Sequence, residues 1–424
     1  MSTAPLRTAI RNQRASTAEA QLTLRSLYIC YFGLREPLVQ TQVLPYLRQI
    51  AIAGIRVHLL TFEPKLHERW SESELKSERQ RLVAEGIQWF CLPYHKSPSL
   101  PATVYDIISG ARFAARMVRR EGINVLHARA HVPMAMALLA RRLVQVKLIF
   151  DIRGLMAEEY VDSGVWTESS LPFRLVKRLE RAGIQRADQV VVLTERMRAW
   201  LISEHHKRAE QIQVIPCCVD FERFEEPKTA NADADRFEVV YAGSLVGLYL
   251  VEEMGRFFKA LKTLQPNAFL KILTISPREQ GAEALRRAGL KESDFEILAV
   301  KPEEVPAYLR RSRLGISFRK STFAQIAASP TKIPEYLAAG LPVICNSGVG
   351  DMDEFVEQER VGVVLRSFDD AAYETAAKKA IDLANDLSTR EHAQRVARQY
   401  FDLASVGGRS YVDVYRRLAE ESQT

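Results

Sequence analysis

Short apolar runs alternate along the chain with longer stretches in which apolar residues recur every third or fourth position. In the first half the runs fall at residues 26–32, 56–62, 87–92, 124–127, 146–150 and 189–194. Helical patterns between them include 40–53, 105–120, 134–144 and 171–186. Short apolar strands separated by amphipathic helices predict a parallel sheet covered on both faces. The second half repeats the scheme, with runs at 237–241, 269–275, 295–300, 314–318, 342–345 and 362–365. Three helical stretches at 371–385, 388–401 and 405–421 close the chain. Between the halves, residues 216–235 contain Pro216, Pro227 and a polar run, and read as a linker. The expected fold class is α/β, with two Rossmann-like domains whose strand carboxyl ends face a central cleft. A length of 424 residues agrees, since it exceeds what one core usually serves.

Charge refines this picture. Residues 1–220 carry 31 Lys and Arg against 21 Asp and Glu, a net of +10, whereas residues 221–424 carry 28 against 31, a net of −3. One lobe alone therefore suits an anionic partner. There is no helix-turn-helix, zinc-finger or RNP-like signature for nucleic acid, and an anionic membrane surface or a phosphate-bearing acceptor lipid fits at least as well. No apolar stretch of about 18 residues predicts a membrane span. Residues 1–20, rich in Ser, Thr, Ala and Arg with Glu19 as the one acidic residue, read as a disordered basic tail. An organelle transit peptide has a similar composition. The five cysteines, Cys30, Cys91, Cys217, Cys218 and Cys345, show no zinc spacing and read as buried free thiols in a reducing compartment.

The segment Ser329-Pro330-Thr331-Lys332-Ile333-Pro334-Glu335-Tyr336-Leu337-Ala338-Ala339-Gly340 carries the strongest chemical signal. It reads as a short helix with Ser329 at the N-cap and Pro330 at the first helical position, stopped by Gly340 before a buried strand. Such a helix would point free N–H groups into the cleft and form a diphosphate site. Lys332 would face the anion, and Glu335, one turn on, would accept two ribose hydroxyls. The plainer reading is a capped helix that packs Ile333 and Leu337, with Lys332 and Glu335 on its surface.

With this segment the chain resembles glycosyltransferase family 4, the retaining GT-B enzymes that use nucleotide sugars. The resemblance also rests on Val214-Ile215-Pro216-Cys217-Cys218-Val219-Asp220 with Phe224, on Val240-Tyr241-Ala242-Gly243-Ser244-Leu245, and on Asp188 to Glu195. Phe150-Asp151-Ile152-Arg153-Gly154 together with Ser329-Pro330-Thr331-Lys332 is similar to a polysaccharide-biosynthesis branch of the family. The resemblance implies an N-terminal acceptor domain at 21–218, joined by a C-terminal helix at 405–424, and a nucleotide-sugar domain at 219–404. It implies a metal-independent, hexosyltransferase-type enzyme that needs no cofactor and takes a UDP- or GDP-linked donor. The acceptor would be a lipid-linked or glycan intermediate of the cell envelope, met in the cytoplasm at the inner face of the membrane. Two departures stand out. The first of the family's paired glutamates falls on Ala327, and the positions of its diphosphate-neutralising Arg and Lys hold Ser244 and Tyr249. Ser329 and Thr331 are then candidates for reading the sugar, and Lys332, or Arg319 and Lys320, for supplying the charge. A GT-B epimerase or hydrolase, or a non-catalytic partner subunit, stays open as an alternative.

In the first half, His127-Ala128-Arg129 resembles the family's loop above the acceptor. His127, Asp151 and Arg153 are the candidate catalytic groups, and Gln40, Gln42, Arg129 and Glu158 the candidate acceptor and phosphate contacts. A buried Asp151–Arg153 pair and a solvated Glu158–Glu159 pair are the plainer readings. The helix at 105–120 sets Arg112, Arg116, Arg119 and Arg120 beside an apolar face, as either a membrane contact or a solvated basic face. Asp351-Met352-Asp353 reads as a helix start rather than a metal clamp.

Overall fold

Parallel pairing runs through both halves of the chain. In the computed structural model, which describes residues 24–225 and 236–420, the first sheet has seven strands. They are β1 (Arg25–Cys30), β2 (Arg56–Pro64), β3 (Ile87–Tyr94), β4 (Val125–Arg129), β5 (Lys147–Asp151), β6 (Gln189–Val192) and β7 (Ile212–Val214), in the order β3-β2-β1-β4-β5-β6-β7. The second sheet comprises β8 (Phe237–Ala242), β9 (Ala268–Leu273), β10 (Phe295–Leu298), β11 (Leu314–Ser317), β12 (Val343–Asn346) and β13 (Gly362–Leu365), ordered β10-β9-β8-β11-β12-β13. Only β7 has no counterpart among the predicted runs; three residues are too few to show a pattern. The basic tail at 1–20 and part of the linker lie outside the described residues.

The predicted helix at 40–53 is two helices, Pro37–Gln42 and Leu44–Ile52, broken at Val43, whose φ of −125° is not helical. Pro45 explains the break, because it cannot donate the backbone hydrogen bond that a continuous helix would need. The predicted last helix also divides. A π-helical turn, Leu403–Gly408, precedes the helix Arg409–Glu420. That helix lies on the first sheet, where Tyr411, Val414, Tyr415 and Leu418 join the core that contains Tyr28, Tyr46 and Leu47. Tyr415 Oη sits 2.7 Å from Ser26 Oγ and 2.8 Å from His127 Nδ1.

Each sheet reverses strand order once, between β1 and β4 in the first and between β8 and β11 in the second. A crevice opens at the carboxyl edge of such a reversal, because the connections on either side leave in opposite directions. The lobes are tied beside these crevices. Asp351 of the second lobe accepts hydrogen bonds from the N–H groups of Glu195 (2.7 Å) and Arg196 (3.1 Å) of the first. Arg196 in turn reaches Asp353 and Glu354. The Asp351-Met352-Asp353 motif thus does start a helix, Met352–Gln358, yet its first carboxylate caps the helix Glu195–His205 across the cleft.

Tyr415→Phe strands two buried polar partners, Ser26 and His127. It is expected to lower unfolding free energy by about 2–3 kcal/mol with an unchanged m-value in urea titration.

Candidate active site

At the first reversal, residues leaving β1, β2, β3 and β4 line a cavity of about 640 Å³. Its wall is aromatic and apolar, with Tyr31, Phe62, Tyr94, Tyr160 and Trp166, and Arg129 and Glu36 supply charge. Tyr31 stacks edge-on against Phe62 and Tyr94 and donates its hydroxyl proton to Asp106, 2.7 Å away. Ala130 beside the cavity holds a φ of +66°, a strained value for a residue with a Cβ, and starts the helix His131–Arg141.

Beneath this cavity lies a fully buried ionic cluster. Strand alternation turns Val125, His127 and Arg129 to the face covered by the C-terminal helix, while Leu126 and Ala128 face the other core. His127 and Asp151 are 0% exposed. Burial holds the His127 ring below its ordinary range, so it is neutral. Burial alone would raise the Asp151 carboxyl, but Arg153, His127 and Arg129 together pull it well below the usual carboxylate range. Arg129 stands 3.7 Å and Arg153 3.6 Å from Asp151. Arg153 also meets Tyr411 and Cys217. His127 and Asp151, expected as catalytic groups, are thus placed in the core and line neither cavity. Arg129 alone reaches the cavity.

At the second reversal, Lys332 is 4% exposed and has no carboxylate within salt-bridge distance. Its Nζ lies 4.0 Å from the centre of the Tyr249 ring and 5.2 Å from that of Tyr241. The Arg319 guanidinium carbon is 5.2 Å from the same Tyr249 ring, and its Nε has no partner. Burial pulls the Lys332 ammonium down, and Tyr249 pushes it back up. Glycine is required at 243, where φ is +150° and a Cβ would stand 3.0 Å from Lys332 Cε. Burial raises the Glu335 carboxyl, opposed by Arg223 at 3.6 Å. Glu335 and Arg223 line a second cavity of about 330 Å³ together with Gln40, Gln42 and Pro302, which joins residues of both lobes.

Several expected contacts are spent elsewhere. The helix spans Lys332–Ala338 with Thr331 at its N-cap, so Ser329 is neither N-cap nor free. Its Oγ accepts from the Cys217 N–H at 3.0 Å, pinning the segment to the lobe crossing. The helix is only seven residues long. Ser244 accepts from the Val246 N–H and shapes its own turn. Lys320 donates to the Asp162 carbonyl, 3.2 Å across the cleft. Gln40 donates to the Leu34 carbonyl, and Glu158 pairs with Lys177 at 2.6 Å. Buried Gln42 Oε1 has no partner. Ala327 packs with Ala324 into the core of the first lobe, which explains why no carboxylate stands there. Sequence patterning missed Arg223 and the aromatic cavity, and it met Tyr249 only as a departure at the family's diphosphate Lys position. Tyr31 and Tyr94 lie at strand carboxyl ends and were findable, whereas Trp166 in its loop carries no signal. Among the described residues, no group of three or more His, Cys, Asp or Glu converges as a metal site.

The profile "Glycosyltransferase Family 4" matches residues 39–223, and "Glycosyl transferases group 1" matches residues 222–400. The chain belongs to the family-4 glycosyltransferases. Among solved structures, the transferase is similar to sucrose-phosphate synthase from Thermosynechococcus elongatus, with 17% identity, 94% of this chain and 100% of that one covered, and a TM-score of 0.70. It is similar to HepE from Anabaena in complex with UDP and glucose, at 16% identity, 95% and 100% coverage and a TM-score of 0.62. A glycosyltransferase from Rickettsia africae ESF-5 gives 14%, 94% and 99%, and 0.67. These likenesses establish a GT-B fold. Among curated proteins, none matches the chain in sequence.

A core role for His127 has a pH signature. The unfolded chain takes up a proton below about pH 6.5 that the folded transferase does not, so stability falls as pH falls there, by up to about 1.4 kcal/mol per pH unit. His127→Asn is expected to remove that share of the slope while the folded variant keeps its transfer activity. A variant that unfolds with the wild-type slope and is inactive when folded would restore a catalytic role.

Proposed function

We propose that the transferase moves a hexosyl group from a UDP- or GDP-linked donor to the hydroxyl of a lipid-linked acceptor, with retention and without a metal. The observation that carries the donor half is the buried Lys332 ammonium, which has no carboxylate partner. An uncompensated buried charge is costly, and an anion arriving beside it recovers that cost. Lys332 and Arg319 hold the diphosphate, and Glu335, one helical turn on, accepts the ribose hydroxyls. The nucleoside lies in the 330 Å³ cavity with Gln42 and Arg223. Thr331, at the N-cap beside Lys332 with no side-chain cap bond, is the residue left to read the sugar.

The acceptor half rests on the 640 Å³ cavity. Its aromatic wall suits an aliphatic chain or a sugar face, and Arg129 suits the phosphate of an anionic lipid. Around its mouth Phe32, Leu100, Tyr160, Val165, Leu171 and Leu175 are exposed, an unusual density of apolar surface. The helix Ser99–Glu121 contributes Leu100 to this rim, and its Arg112, Arg116, Arg119 and Arg120 line surface cavities further along. That pairing of apolar rim and basic face suits an anionic bilayer. No helix among the described residues is long and apolar enough to cross one.

Transfer then runs as a substitution on one face of the sugar. The acceptor hydroxyl attacks C1 as the diphosphate leaves, with the two cations stabilising its charge. Cleft closure keeps water away from the donor.

Lys332→Met is expected to leave the melting temperature of the empty protein unchanged or higher, because a desolvated charge is removed. It should weaken UDP or GDP binding at least about 30-fold by calorimetry. A variant that binds both as well as wild type would remove the donor reading. Reversing Arg112 and Arg116 to Glu is expected to cut binding to phosphatidylglycerol vesicles at least about tenfold. Equal binding to phosphatidylcholine vesicles by wild type and variant, with no difference on anionic ones, would exclude the membrane contact.

A further inference from the structure

The turn after β8 comes back on itself in a way that helix and strand patterning does not anticipate. The Leu250 N–H donates to the Phe318 carbonyl at 3.1 Å, and the Lys320 N–H to the Leu248 carbonyl at 2.9 Å. Tyr249 thereby pairs antiparallel with Arg319, at the carboxyl end of β11. The half-buried phenol is thus fixed between two cations, Lys332 against its ring at 4.0 Å and Arg319 at 5.2 Å. Two cations this close repel, and one aromatic face within reach of both offsets part of that repulsion.

The cluster is also oriented. Glu335 follows Lys332 along its helix and faces the nucleoside cavity. On the other side, Arg319 feels the Glu159 carboxylate of the first lobe, and the adjacent Lys320 and Thr322 both bond Asp162 there. Tyr249 therefore lies between Lys332, whose helix leads to Glu335, and Arg319, whose strand end meets Glu159 and Asp162 of the first lobe.

We propose that Tyr249 is a catalytic residue whose phenol donates a hydrogen bond to the distal phosphate oxygen that leaves the sugar. This rests on the donor reading above. When the C1–O bond breaks, its electron pair stays on that oxygen; the acceptor oxygen forms the new bond to C1, and the acceptor's proton passes to the departing phosphate. Tyr249 keeps its own proton throughout and stabilises the charge by donation. The neighbouring Lys332 ammonium makes the phenol a more acidic, and so stronger, donor. The ring holds the cations in the empty site, and the hydroxyl acts once it fills.

Tyr249→Phe separates the two roles, since it keeps the ring and loses the donor. By calorimetry, UDP or GDP, whichever binds wild type, is expected to bind the variant at least about tenfold more weakly. UMP or GMP, which lack the distal phosphate, should bind within about twofold of wild type, and the melting temperature should hold. Equal weakening of mono- and diphosphate reduces Tyr249 to a structural role, and no change in either overturns the proposal. If wild type binds neither UDP nor GDP, the donor reading itself fails. If Lys332→Met loses diphosphate binding while Tyr249→Phe keeps it, only the role of Tyr249 falls.

Discussion

An ammonium group buried without a counter-ion is the constraint around which the second lobe is arranged. Lys332 is held by two tyrosine faces and by a turn that admits only glycine at 243, rather than by a carboxylate. Each feature favours a charge that is desolvated yet unsatisfied. A carboxylate beside it would lower the cost of the empty state but would compete with any incoming anion. Leaving the charge open keeps that energy available for a ligand.

Both crevices follow from parallel sheets that reverse strand order once, but they hold opposite chemistry. The first is a roomy aromatic cavity with a single guanidinium at its edge, and the second is a tight cationic cluster on tyrosine rings. The cross-cleft ties of Asp351, Arg196 and Ser329 set the distance between the two. Lys320 and Thr322 add bonds to Asp162, and Ala324 and Ala327 pack into the core of the first lobe, so the interface is both polar and apolar.

Titratable residue types alone do not tell which side chains are exposed. His127, Asp151 and Arg153 look like an acid–base constellation, yet they form the polar seam between the first sheet and the returning C-terminal helix. One carboxylate there faces two guanidiniums and a neutral imidazole, leaving an excess of positive charge next to the acceptor cavity. Arg129, at the edge of that seam, carries the excess outward.

The fold was largely legible along the chain. Twelve of the thirteen strands match predicted apolar runs within a few residues, because parallel strands buried on both faces must be apolar over their whole length. That Lys332 and Glu335 share a helix, about one turn apart, was also readable. What the chain could not reveal was burial of polar side chains and pairing between distant segments. Whether His127 faces solvent or the last helix depends on which face of β4 that helix covers, some 290 residues later. Whether Ser329 caps a helix or bonds Cys217 depends on how the two lobes meet. Tyr249 became a neighbour of Lys332 only through a backbone return against β11 that has no sequence period. Local periodicity decides which residues become strands and helices, whereas contacts between remote segments decide which polar groups are left for chemistry.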